Sequence, residues 1–215
     1  MNHYIREPIN AFTHLAGAIL SFVALLCMVV KVSITMPSTT TIFSVIMFGI
    51  SLIVLYSASA TYHSVVAKDK VIYFFRKIDH SMIFILIAGT YTPFCLISLH
   101  NKIGWILFTL IYLTAVCGIV FKMFWFSCPR WLSTSIYIVM GWMIVLFIKP
   151  LSGTLSISGL LFLVVGGVFY TIGGVIYGAK PKWLEFKHFG HHEIFHIFIL
   201  LGSLAHFLCV YFYVI

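Results

Sequence analysis

The sequence predicts an all-α, polytopic membrane protein: a bundle of seven transmembrane helices, N-terminus cytoplasmic and C-terminus extracytoplasmic. Three observations lead there. Of 215 residues, 62% are apolar and only 8% are charged, and the mean hydropathy is +1.11; a soluble domain carries about 25% charged residues. Seven stretches free of Asp, Glu, Lys and Arg are each long enough to cross a bilayer, which takes ~20 mostly apolar residues. The basic residues also fall unevenly on the two sides that seven spans define. A chain this apolar cannot cover itself with polar surface, which excludes a soluble enzyme, a disordered protein and a nucleic-acid-binding module. Residues 1–215 form a single membrane domain with no room for a soluble one.

The spans follow in order. The first, roughly 11–31, comes after Arg6, Glu7 and Pro8. It lacks the short apolar segment and small-residue cleavage site of a signal peptide, so it reads as a retained span. Met36-Pro37-Ser38 separates it from the second, 42–64, and the charged stretch Lys68–Lys77 separates that from the third, 79–99. His100-Asn101-Lys102 makes a tight turn into the fourth, 103–123, and Pro93 marks a kink within the third. Cys128-Pro129-Arg130 precedes the fifth, 131–149, which is short; Lys149-Pro150 ends it. The sixth is 157–178, closed by Ala179-Lys180-Pro181, and the seventh is 190–213. Gly174 and Gly178 make a small-xxx-small pair for close helix approach. Trp105, Trp125, Trp131 and Trp183 near span ends fit an aromatic belt. The five cysteines form no CxxC pair, so neither a disulfide framework nor a thiolate metal site is indicated.

Orientation follows from charge. One side holds Arg6, Lys68, Lys70, Arg76, Lys77, Lys122, Arg130, Lys180, Lys182 and Lys187; the other holds only Lys31, Lys102 and Lys149. Basic residues favour the cytoplasm, which puts the N-terminal side inside the cell membrane. Six spans would mix the two groups.

The polar residues converge on that cytoplasmic layer. Glu7, Asn10, Thr13 and His14 lie where the first span starts, Ser59 and His63 where the second ends, Asp79 and His80 where the third starts, and His188, His191, His192, Glu193 and His196 at the start of the seventh. Ionisable groups within a bilayer are costly and default to functional candidates. His192 and His196 are i,i+4, so both rings emerge on one helix face and can present two nitrogens to one ion. Ser59 and His63 share a face in the same way. His63 as a third neutral imidazole would leave one position open for water, the pattern of a catalytic zinc site; Fe²⁺, Cu²⁺ and Ni²⁺ also accept imidazole. His192-Glu193-Ile194-Phe195-His196 matches the HExxH of zinc proteases, in which the Glu is general base, but lacks the protease context. Asn10, Thr13 and His14 are expected to knit the first helix to this layer by hydrogen bonds, and His80, His188 and His191 to be interfacial or supporting groups. His100 in a loop and His206 deep in the last span stand outside it.

Glu7-Pro8 with Asn10 and Thr13-His14, then Ser59-Ala60-Thr61-Tyr62-His63, Asp79 and the His192–His196 segment together resemble the hemolysin III proteins. These are the bacterial branch of the progestin and adipoQ receptor family, more loosely related to alkaline ceramidases. The resemblance runs from residue 7 to residue 196. It implies a zinc ion held by His63, His192 and His196 near the cytoplasmic face, with Ser59 and Asp79 orienting a water. It further implies zinc-dependent hydrolysis of a lipid amide or ester, with membrane lipids as partners and a lipid substrate entering between helices. The receptor-like relatives carry a large N-terminal domain where this sequence has about ten residues, which argues against a receptor role.

The chemistry is coherent. Zinc lowers the pKa of bound water to ~7 and polarises a carbonyl; Asp79 would accept the proton and Ser59 would fix the water's direction. Glu193 is the rival base, although it lies ~100° of helix turn from the ligand face. For Asp79 the competing structural role is to cap the third helix or to pair with Arg76 or Lys77. Two other functions compete with hydrolysis: a hemolysin-like pore or cytolytic protein, and a zinc-containing membrane sensor without catalysis.

Overall fold

The computed structural model describes residues 4–186 and 189–215. Among the described residues, seven helices are long and apolar enough to cross a membrane: α1 Pro8–Thr35, α2 Thr39–Ser64, α3 Asp69–Ser98, α4 Lys102–Phe124, α5 Arg130–Ser152, α6 Ile157–Ala179 and α7 His191–Val214. The chain is a multi-pass membrane protein, and its outer surface says so physically. Leu20, Ile34, Leu146 and Ile157 are among many large apolar side chains left exposed, a surface that water would not tolerate but lipid does.

Local chemistry sets each boundary. Pro8 opens α1, where its missing N–H costs nothing. The Ser38 hydroxyl accepts the Thr41 N–H to cap α2, and the Asn101 side chain accepts two N–H groups at the start of α4. His100 turns the chain between α3 and α4 at φ 24°, a left-handed conformation uncommon outside glycine. Ser156 caps α6, and Lys180, at φ 49°, ends it in the left-handed conformation that so often terminates a helix. Pro93 lies within α3, and the helix widens into a π-helical turn over Phe94–Ser98 directly after it; proline removes one ladder bond and the turn absorbs the misfit. The short fifth span is helical over Arg130–Trp142, tightens to 3-10 geometry over Met143–Phe147, and resumes over Ile148–Ser152.

One boundary corrects the sequence reading. α3 begins at Asp69, not at residue 79. Lys70, Arg76 and Lys77 break the apolar run without breaking the helix, because charged side chains on its first turns cost little where they reach the interface. Asp79 is therefore the eleventh residue of α3, about 15 Å along its axis from the start, and cannot cap it. Nor, among the described residues, does any Lys or Arg nitrogen lie within 4.0 Å of its carboxylate.

The helices form a ring. α2 packs between α1 and α3, α3 against α5, α5 against α6, α6 against α7, and α7 returns to α1; α4 lies outside, against α3. Gly174 and Gly178 meet Thr134 of α5, so this pair does bring two helices close. The four belt tryptophans are exposed, whereas Trp142 turns inward and donates to the Thr171 hydroxyl at 2.8 Å. The first ends of α1, α3, α5 and α7 and the last ends of α2, α4 and α6 share one face of the ring, and the histidine-bearing segments meet there.

Candidate metal centre

The centre is assembled by the chain just ahead of α1. The Glu7 N–H donates to the His63 carbonyl at 3.0 Å, and the Arg6 guanidinium donates to the Tyr62 carbonyl at 2.7 Å, docking the segment on the last turn of α2. The Glu7 carboxylate then accepts a 2.6 Å bond from His63 Nδ1. That bond, with Arg6 and Asn10 nearby, holds the Glu7 carboxyl down to about 2, so it is a carboxylate at neutral pH. Because Nδ1 carries the proton, His63 Nε2 presents a lone pair on the far side of the ring.

That lone pair faces His192 Nε2 at 3.4 Å. Tetrahedral zinc with bonds of about 2.0–2.1 Å sets its ligand nitrogens about 3.3–3.4 Å apart. Metal-ligating histidines commonly donate their other nitrogen to a carboxylate, as His63 does to Glu7. His63, His192 and His196 each offer one ring nitrogen, all within 4.8 Å of one another; His63 and His196 are buried and His192 is half-buried. This triad could hold a metal ion, and its donor set of neutral imidazoles fits a borderline-soft divalent cation. The three histidines that the sequence reading singled out are thus brought together.

The remaining polar residues divide by task. Glu193 is held at both oxygens: Oε2 accepts the Gly190 N–H at 2.8 Å and Oε1 accepts the Asn10 amide at 2.8 Å. It caps α7 and ties it to α1. Asn10 also donates to Glu7 at 3.3 Å, so one amide links the carboxylate behind His63 to the helix carrying His192 and His196. Thr13, expected to bridge helices, bonds only backbone carbonyls of its own helix. His14 makes no hydrogen bond and lies against His196 instead. His191 bonds Glu185, and the His80 ring reaches the Tyr177 hydroxyl at 3.4 Å. His206, away from the triad, donates to the Leu163 carbonyl at 3.1 Å. His188 and Lys187 lie outside the described residues.

A cavity of about 530 Å³ opens beside the triad. Ser59, Asp79, His192 and His196 line it together with apolar residues that include Leu55, Ile83, Leu86, Phe94, Ile144 and Leu163. A mostly apolar chamber with a few converging polar groups at one end is the usual form of a small-molecule site. The partner that sequence reasoning missed is Glu7 as the acceptor behind His63; the Glu-Pro pair ahead of the first span was the available signal.

Comparison with known proteins gives the family. The haemolysin-III related family profile matches residues 2–207. Hemolysin-3 of Bacillus cereus is 39% identical over 216 residues, covering 100% of this chain and 95% of that protein. A hemolysin-3 homolog of Bacillus subtilis (strain 168) is 40% identical over 210 residues, covering 97% and 95%. With a family match across almost its full length and relatives near 40% identity, this chain belongs to the haemolysin III family.

Proposed function

We propose that this protein is an intramembrane zinc hydrolase cleaving an amide or ester bond of a membrane lipid, at the cytoplasmic end of its bundle. The observation that carries the reading is the 3.4 Å facing of His63 and His192 Nε2, with His192 and His196 lining the 530 Å³ cavity. When bound there, zinc supplies a Lewis acid and brings the pKa of a coordinated water to ~7. Everything else is the work of the chain's own side chains.

Asp79 is the base. It lines the cavity without an ion-pair partner within 4.0 Å, so a carboxylate oxygen is available to take a proton from water and return it to the leaving group. Ser59, one turn before His63 on α2, lines the same cavity as Asp79 and fixes the direction of the water. Glu193 has no free oxygen for this task. The apolar walls hold an acyl chain and exclude bulk water, which strengthens the few polar contacts at the reacting end.

The test is purified protein with a fluorogenic lipid amide and its ester analogue. Hydrolysis should vanish on chelation, return with Zn²⁺, and be absent in His63→Ala. A fully zinc-loaded protein that cleaves neither substrate would replace hydrolysis with a structural metal in a sensor.

A further inference from the structure

On the same face of the ring as the triad, the cavity also carries a cationic cluster that the proposed hydrolysis does not use. Arg76, Lys122 and Arg130 line it together, alongside Phe126 and Cys128. Arg76 stands 5.5 Å and Lys122 5.2 Å from the centre of the same Phe126 ring. None of the three cations has a carboxylate within 4.0 Å, although all five acidic residues of the chain are described. Glu7 bonds His63, Glu185 bonds His191 and Glu193 bonds Asn10, while Asp79 lines the same cavity as the cations.

Lys122 is the telling member. Cytoplasmic charge bias explains a lysine at a helix end, but such a lysine extends its head into water. Lys122 is only 3% exposed. Its ammonium donates to Ser133 Oγ at 2.6 Å and to Cys128 Sγ at 3.5 Å, neither of them a carboxylate. A buried cation without a counter-charge is costly, and a second cation over the same ring adds repulsion that cation–π contact offsets only in part. The start of α5 adds to the positive field: no side chain caps it, and Pro129 and Arg130 both line the cavity. Three convergent cations and a bare helix start want an anion, and the apolar chamber beside them wants a chain.

We infer that Arg76, Lys122 and Arg130 form a binding site for the phosphate of a single-chain amphiphile whose apolar tail occupies the cavity. The inference rests on the reading of that cavity as a lipid chamber, and not on catalysis. A phosphate offers acceptor oxygens enough for both guanidinium groups and the ammonium at once.

The experiment measures binding to purified protein in an uncharged maltoside detergent. The probes are lysophosphatidic acid, the monoacylglycerol with the same chain, and inorganic phosphate. Lysophosphatidic acid should bind at least tenfold more tightly than the monoacylglycerol, with inorganic phosphate far weaker than either. Lys122→Met should abolish the preference and keep monoacylglycerol binding. Arg130→Gln should reduce it severalfold, and because this side chain is exposed its folding is not at risk. Chelator-treated protein should keep the preference. Equal affinity for the two lipids, or a preference intact in both variants, would overturn the phosphate site; so would its loss on chelation, which would put the phosphate on the metal. Inorganic phosphate binding as tightly as the lipid would overturn the amphiphile as its source. Binding of neither lipid would overturn the chamber as well, whereas absent hydrolysis with the preference intact would overturn only the proposed enzyme.

Discussion

His14 lies flat on His196: the ring centroids are 3.6 Å apart and the planes differ by 10°. Both His14 nitrogens are buried without a hydrogen-bond partner, so the ring acts through its face. It fixes the plane of His196 from one side while His63 meets that ring edge-on from another, at 4.9 Å. A ring so clamped would have little rotational freedom to lose on binding an ion.

His14→Phe, which keeps a flat ring, should therefore retain metal, whereas His14→Ala should weaken its affinity about tenfold, as loss of a supporting group typically does. Metal titration of purified variants decides it. If His14→Phe loses metal as completely as His196→Ala, a His14 nitrogen is itself a ligand.

His63→Ala, His192→Ala and His196→Ala should each remove most bound zinc, and His100→Ala and His206→Ala should leave it. Elemental analysis of purified protein checks this. Full zinc in His63→Ala would mean that the third ligand lies elsewhere.

Glu7→Gln should leave the fold intact and lower metal affinity ~10–100-fold, the usual cost of losing the carboxylate behind a ligating histidine. An amide accepts a weaker bond from His63 Nδ1 and makes the ring a poorer donor. Affinity unchanged in a chelator competition would show that Glu7 serves only to dock the chain.

Asp79→Asn should keep zinc and lose hydrolysis by ~10²–10⁴-fold, since an amide cannot take a proton at neutral pH. Glu193→Gln should cost much less activity and instead lower the melting temperature, because that residue caps α7 and bonds Asn10. The reverse pattern in a lipid amidase assay would exchange their roles.

A reporter after Ile215 should be extracytoplasmic and one in the α2–α3 connection, residues 65–68, cytoplasmic. The ten-to-three basic asymmetry is the reason. Both reporters on one side would contradict the orientation.

Much of this was legible in residues alone, for identifiable reasons. The spans announce themselves because lipid demands long runs without charge, and the His192–His196 pair because helical spacing puts both rings on one face. The start of α3 was hidden because a helix that leaves the apolar layer keeps its geometry while its composition changes; Asp79 then reads as a terminus when it is an interior position. Glu7 was hidden differently: its bond to His63 depends on how the chain folds back onto α2, 56 residues away. Lys122, counted only as one more positive charge, becomes distinctive only once its burial is known.

The amide of Asn10 reaches Glu193 across 183 residues of sequence, and this has a consequence for biogenesis. The triad takes His63 from the second span and His192 and His196 from the last, so on the proposed reading a nascent chain would have no metal site until its final helix has inserted. On the proposed zinc reading, metal capture would follow synthesis, and a chain stalled or cut before α7 would be left with His63 and its carboxylate but neither of the other two histidines. Bound metal would thus report that insertion is complete.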